Sequence, residues 1–181
     1  MSEPEAVAIV DPVGADRAAL EIAPLDEFVR ANYPRLVRLA GLITRDVDQA
    51  QDAVQAALER AWRKRGAVQD QASLRPWLDR IVVREAIRQT RGRGFAGLVR
   101  RPPTDWLELP ALLPEPAERV ILREALGRLS PDHRAVIALH LHAGYSVDET
   151  ARVLGVPFDT VRSRLRAARE QLRRQLAEVT R

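Results

Sequence analysis

The chain has 181 residues, 46% of them apolar and 4% aromatic, with 28 Arg, a single Lys and a formal net charge of +4. It has no Cys, which excludes disulfides, thiolate metal sites and Cys nucleophiles. No run approaches the length of an apolar membrane span, and the acidic N-terminus lacks a basic-then-apolar leader, so a cytoplasmic location is expected.

Ala, Leu, Arg and Glu dominate, which favours helix, and no stretch shows the alternation of a strand. Charge is distributed in blocks. Residues 1–24 carry one base and five acids, net −4; residues 25–94 are net +5; residues 95–118 are net −2; residues 119–181 are net +5. Two basic blocks separated by acidic stretches suggest two modules that face nucleic acid.

Residues 1–24 show no helical period and contain Pro4, Pro12, Gly14 and Pro24. They read as a disordered acidic tail. The first basic block, residues 25–94, reads as three or four helices. One runs from about Leu25 to Thr44, with Pro34 making a break or a new first turn. Asp46 and Asp48 can cap a second that reaches about Arg65, and Ser73 can cap a third that reaches about Arg91.

That third helix places Arg80, Arg84, Arg88 and Arg91 within about 80° of one another, with Trp77 at one end of the arc. A basic stripe beside an aromatic suits single-stranded DNA: charges track phosphates and the ring takes an unstacked base. Core packing of Trp77 and a solvated Arg face are the bland alternatives. Residues 95–115 read as a flexible linker, dense in Pro and Gly. They also hold Phe95, Trp106, Leu107, Leu109, Leu112 and Leu113, too apolar for an inert spacer.

The second block, residues 116–181, reads as four helices. Pro116 opens the first. Ser130 caps the second, with Pro131 at its first position. Ser146 and Glu149 form a capping box for a short third helix that stops at Gly155. The fourth runs from Pro157 to about Leu176. Together 146–173 carry a helix-turn-helix pattern: a small residue, Ala151, where two helices cross; Gly155 where a positive φ is wanted; and Leu154, Val156 and Val161 as the apolar clamp.

On the last helix Arg162, Arg166, Arg169 and Arg173 fall within about 60°, and a separate apolar stripe of Val161, Leu165, Ala168 and Leu172 packs the helix down. The N-terminal part of such a helix enters the major groove, which makes Arg162, Ser163 and Arg166 the candidates for base edges. Arg169 and Arg173 are better placed for phosphates. The bland alternative is a solvated basic face.

The order of these motifs resembles that of extracytoplasmic-function sigma factors of the sigma-70 family, over roughly residues 25–94 and 115–178. Ala50, Asp52, Gln55 and Trp62 match the family's A-E-D-x-x-Q…W pattern. Trp77, Leu78 and Ile81 match its W-L-x-x-I core, and RLSPDHRAVIALHLHAGYSVDETARVLGVPFDTVRSRLRAARE is similar to its C-terminal domain. The resemblance implies an all-α fold of two small helical domains: sigma region 2 (25–94) and sigma region 4 (116–181).

It further implies binding to core RNA polymerase through the β′ and β subunits, with Asp52 and Gln55 on the β′ clamp. Trp77 and the Arg stripe would read and melt the −10 element, and Arg162 to Arg173 the −35 element. The 66–73 loop would help choose a base flipped out of the −10 strand. An anti-sigma protein is an implied partner. Some positions depart from the pattern: Gln51 stands where Glu is frequent, Leu58 where Phe is frequent, and Arg84 and Arg88 where Asn and Asp are frequent. The promoter sequence therefore does not carry over.

Three other readings compete. A stand-alone helix-turn-helix regulator would bind duplex DNA without polymerase, and the 50–62 and 75–93 motifs argue against it. A sigma-like decoy would keep the domains and lose −10 reading. An enzyme is disfavoured: His140 and His142 stand at i, i+2 and make a poor metal pair. There is also no Gly-rich phosphate loop and no H-E-x-x-H. No catalytic residue, metal or cofactor is expected.

Overall fold

The computed structural model describes residues 12–67, 71–92 and 116–179, with side chains placed for 25–66, 72–91 and 120–178. Seven α-helices are present among them, with no strand: α1 (Pro12–Thr44), α2 (Val47–Arg63), α3 (Gln71–Gly92), α4 (Pro116–Gly127), α5 (Pro131–Ile137), α6 (Val147–Leu154) and α7 (Phe158–Val179). A 3₁₀ turn at Arg65–Ala67 follows α2, and a π turn at Ala138–His142 continues α5.

Helices α1 to α3 form the first bundle. α1 starts at Pro12, which suits a first turn, and runs without interruption through Pro24 and Pro34. The disorder expected for 1–24 is therefore not what 12–24 show, and the expected break at Pro34 is absent; residues 1–11 lie outside the described residues. A proline costs the helix one backbone bond, and packing on both sides of Pro34 outweighs that loss: Phe28 and Val29 lie against the core, and Leu36, Leu39 and Ile43 are fully buried in it.

α1 ends at Arg45, whose backbone is left-handed at φ 64° and whose N–H donates to the Gly41 carbonyl at 2.8 Å. Asp46 then caps α2, accepting from the Gln49 N–H at 2.9 Å. The buried face of α2 is small, with Ala50, Ala53, Val54, Ala57 and Ala61, which lets α1 and α3 approach closely. α3 begins at Gln71, so Ser73 lies inside its first turn rather than capping it.

In the second bundle the sequence signals mark the boundaries directly. Ser130 caps α5 and accepts from the His133 N–H. Ser146 and Glu149 make a complete capping box. Gly155 closes α6 at φ 69°, a conformation that costs a residue with a Cβ about 1–2 kcal/mol. The π turn was not expected. Ala143 donates to Ala138 five residues back, the Tyr145 N–H donates to Leu139, and Gly144 turns the chain at φ 79°. The widened turn swings Tyr145 under the first bundle.

The two bundles share one apolar core. Leu36, Leu39, Ile43, Leu78 and Val82 from the first meet Val136, Leu139 and Tyr145 from the second in a continuous cluster. Burying each large aliphatic side chain contributes roughly 1.5–3 kcal/mol. The linker expected at 95–115 falls outside the described residues.

Candidate nucleic-acid interface

α6 and α7 meet in the helix-turn-helix geometry expected. Ala151, Val161, Leu165 and Ala168 are buried between the helices. Arg162, Ser163, Arg166, Arg169 and Arg173 are all exposed along one side of α7. Arg166, Arg169 and Arg173 make no hydrogen bond or ion pair among the described residues. Arg162 lies 3.8 Å from Asp159, one helical turn back. The Ser163 hydroxyl donates to the Thr160 carbonyl at 2.9 Å, leaving its lone pairs outward as an acceptor. The stripe is thus a set of positive charges held by a rigid, packed helix and open to an incoming polyanion.

The α3 stripe has a different fate. Arg80 donates from Nε to the Val153 carbonyl at 3.2 Å and from Nη2 to the Arg152 carbonyl, at the C-terminal end of α6. Arg91 pairs with Asp132 of α5 at 2.6 Å. Arg88 pairs with Glu85 at 2.7 Å. Arg84 is exposed, but its Nη2 lies 2.8 Å from where a Cβ on Gly155 would stand. Trp77 is half-buried against the core and lines a cleft with Arg75, Arg80, Tyr145, Glu149 and Arg152. In this arrangement Arg80 and Arg91, from the face expected to read single-stranded DNA, are engaged by the second bundle, while Arg84, Arg88 and Arg91 remain exposed to solvent.

The contacts that hold it there include residues that sequence reasoning missed. Asp79 is fully buried. Its carboxylate accepts two bonds from the Arg35 guanidinium, at 2.9 and 2.7 Å, and one from the Tyr145 hydroxyl at 2.8 Å. Burial, then the Asp79 charge, pushes the Tyr145 phenol well above its ordinary range, so it stays a donor. The Arg75 guanidinium lies 5.5 Å from the Tyr145 ring and donates to the Ala143 carbonyl.

Arg134 is buried and reaches across from α5. Its Nε donates to the Ile43 carbonyl at 2.7 Å and its Nη1 to the Leu129 carbonyl at 2.6 Å. Burial, then the nearby Arg45 charge, lowers its pKa to about 10, so it remains charged at neutral pH, facing the negative end of the α1 dipole. Arg45 in turn donates to the Gly127 carbonyl at 3.2 Å. One sequence signal was available for Asp79: an acid set inside the apolar run Leu78–Val83 has to find a cation.

On α2, Asp52 and Gln55 are exposed on the side away from the core. Trp62, at the end of the same helix, is 45% exposed, and the Arg65 guanidinium lies 5.0 Å from its ring. Glu85 is buried and takes both Arg60 and Arg88, tying α2 to α3. Residues 68–70 of the 66–73 loop lie outside the described residues.

A helix-turn-helix whose second helix carries an open arginine stripe, joined to another helical bundle with its own basic helix, is the architecture expected of a sigma-70 class protein. Comparison with known families agrees: residues 28–95 match Sigma-70 region 2 and residues 119–172 match Sigma-70, region 4. The chain is 33% identical to the ECF RNA polymerase sigma factor SigL of Mycobacterium tuberculosis, over 96% of this chain and 98% of that one. It is 33% identical to the ECF sigma factor SigE of Mycolicibacterium smegmatis, over 97% and 69%.

Among solved structures, it resembles the sigma factor RpoE in complex with the anti-sigma factor NepR from Bartonella quintana. The TM-score is 0.64 at 26% identity, covering 84% of this chain and 96% of that one. It also resembles CnrH in complex with the cytosolic domain of CnrY, with a TM-score of 0.62 at 25% identity, covering 85% and 88%. The chain belongs to the ECF RNA polymerase sigma factors and is a sigma factor that directs transcription initiation. Among the described residues, no helix is long and apolar enough to cross a membrane.

Proposed function

We propose that this chain reads promoters in two places and must separate its bundles to do so. Asp52 and Gln55 on α2 dock on the β′ clamp of core polymerase, in the cytoplasm. Trp77, Arg80, Arg84, Arg88 and Arg91 on α3 follow the −10 strand as it melts. Arg162, Ser163 and Arg166 read −35 base edges, while Arg169 and Arg173 hold phosphates. Residues 25–94 and 116–181 act as the two readers, with 95–115 as the tether that makes the second contact effectively intramolecular. The carrying observation is the exposed arginine stripe on the packed helix α7. Arg80 and Arg91 hold the second bundle in the described state, so release of α6 and α5 from α3 belongs to the mechanism. An anti-sigma protein as the restraining partner is supported by the solved relative RpoE, which is bound to the anti-sigma factor NepR.

The test is a randomised-promoter selection with core polymerase and three proteins: wild type, a variant with the 66–73 loop exchanged, and Arg166→Ala. The loop exchange is expected to change −10 preference alone. Arg166→Ala is expected to relax one −35 position by about tenfold or more, the worth of one bidentate contact to guanine. Equal shifts at both elements in both variants would sink the two-reader model.

A further inference from the structure

α7 carries one exposed aromatic residue beside its arginine stripe. Phe158 is the first residue of the helix, and its position four residues before Arg162 and eight before Arg166 puts it on the same face as the arginine stripe. It is 45% exposed. A phenyl ring left in water at the mouth of a charged face gains from being covered. Its surroundings narrow down what covers it. The exposed residues next to it on this side are Asp159, Arg162, Ser163 and Arg166, not an apolar patch, so an extended protein contact has little to hold. A small apolar group set among phosphates fits better. In the major groove that group is the 5-methyl of thymine.

The ring is also coupled to a base-reading candidate. The Arg162 guanidinium carbon lies 5.8 Å from the Phe158 centroid, and its Nη1 lies 3.8 Å from the Asp159 carboxylate. Two groups one turn away thus hold the fork near the start of the helix, the part that enters the groove. Successive bases are about 3.4 Å apart along a strand. Ring and fork can therefore meet neighbouring base pairs, with the fork taking guanine O6 and N7.

We infer that Phe158 is a specificity residue of this chain: its ring covers the methyl group of a −35 thymine beside the guanine that Arg162 takes. The inference rests on the reading of α7 as the −35 helix. Phe158 stands at the edge between the arginine stripe and the buried Val161–Leu165 face, so Phe158→Leu, which keeps an apolar side chain there, separates loss of packing from loss of the ring.

The experiment uses holoenzyme made from the full chain and core polymerase, on the promoter recovered from the randomised selection. Each −35 thymine is replaced in turn by deoxyuridine, which removes only the methyl group. Binding is measured for wild type, Phe158→Ala, Phe158→Leu and Arg166→Ala. Wild type is expected to lose about three- to fivefold at one thymine next to a guanine, the scale of one buried methyl. Phe158→Ala should bind the unmodified promoter that much more weakly and be indifferent to uracil there. Phe158→Leu should keep part of the sensitivity.

A uracil penalty that persists unchanged in Phe158→Ala overturns the inference, as does a selected −35 element with no thymine beside guanine. Weakened binding of Phe158→Ala to core polymerase without DNA would mark a protein contact and also overturn it. If Arg166→Ala alters −35 preference and Phe158→Ala does not, α7 reads DNA and only the Phe158 assignment fails. If neither does, the reading of α7 itself fails.

Discussion

Helices α3 and α7 carry the same pattern, four arginines on one side of an amphipathic helix, and the structure treats them in opposite ways. On α7 three of the four are exposed and make no hydrogen bond or ion pair among the described residues. On α3, Arg80, Arg88 and Arg91 are each satisfied by protein: carbonyls of α6, Glu85, and Asp132 of α5. An arginine stripe in sequence is a capacity to bind polyanions. Whether it is available depends on what the rest of the chain places opposite it. Here the second bundle supplies acceptors for Arg80 and Arg91, and Glu85 of α3 itself takes Arg88.

That contrast can be broken at the interface. The largest effect is expected from Arg134→Ala, which leaves the Ile43 and Leu129 carbonyls without their charged donor. A loss of about 3 kcal/mol is expected by urea unfolding, on the scale of two hydrogen bonds to a charged group less the desolvation relieved. A loss within about 0.5 kcal/mol would mean that water replaces the guanidinium and that the apolar cluster alone joins the bundles.

A finer cut is Tyr145→Phe, which removes the hydroxyl bond to Asp79 and keeps the ring and the Arg35 pair. About 1.5–3 kcal/mol of coupling between the bundles should go. The free chain should then bind a single-stranded oligonucleotide more tightly, with a steeper salt dependence as α3 arginines reach phosphates. Unchanged affinity, with amide exchange at the α3–α6 contact accelerated, would separate opening from DNA access.

The α7 side of the comparison is sharpened by Arg169→Ala and Arg173→Ala. Each should weaken all promoters alike and lower the salt slope by about one. Base-specific losses at either position would move it from the phosphate set to the reading set.

The smallest effect is expected from pH. Burial, then the charges of Arg38 and Arg35, lowers the His142 pKa below its ordinary value. Protonation is therefore harder in the packed state than in the unfolded chain. The histidine costs no stability above its unfolded pKa, and stability falls as the pH drops through that value toward the lower folded one. Since Arg35 and Arg38 belong to α1 and His142 to the second bundle, acid should loosen the contact between them. His142→Gln should flatten the dependence, measured as the unfolding midpoint between about pH 7 and pH 5.

Local signals in the second bundle were legible where short-range physics decides, whereas Ser73 in the first falls inside α3 rather than at its cap. Ser130 and Pro131, the Ser146–Glu149 box and Gly155 are side-chain and backbone preferences within four residues, and each stands where expected. The helical period was equally legible, because one face of α2, α3 and α7 must be apolar to pack at all. Arg162 and Arg166 were found as exposed polar positions by the same rule, and Asp52 and Gln55, singled out by the family resemblance, are exposed as well.

The path of α1 through Pro34, the π turn before Tyr145 and the docking of α3 on α6 were not legible. Each is a balance in which a local penalty is outweighed by tertiary contacts: a lost backbone bond against the burial of Leu36 and Leu39 in the core, an irregular turn against the Tyr145–Asp79 bond across 66 residues, the desolvation of Arg80 against the carbonyls of α6. The sequence by itself determined which faces are apolar, where the helices in the second bundle stop, and which helices carry positive charge. Tertiary structure alone decided which arginines of the two helices have partners across the bundle interface, because only the folded chain brings acceptors from one bundle within hydrogen-bond reach of donors on the other.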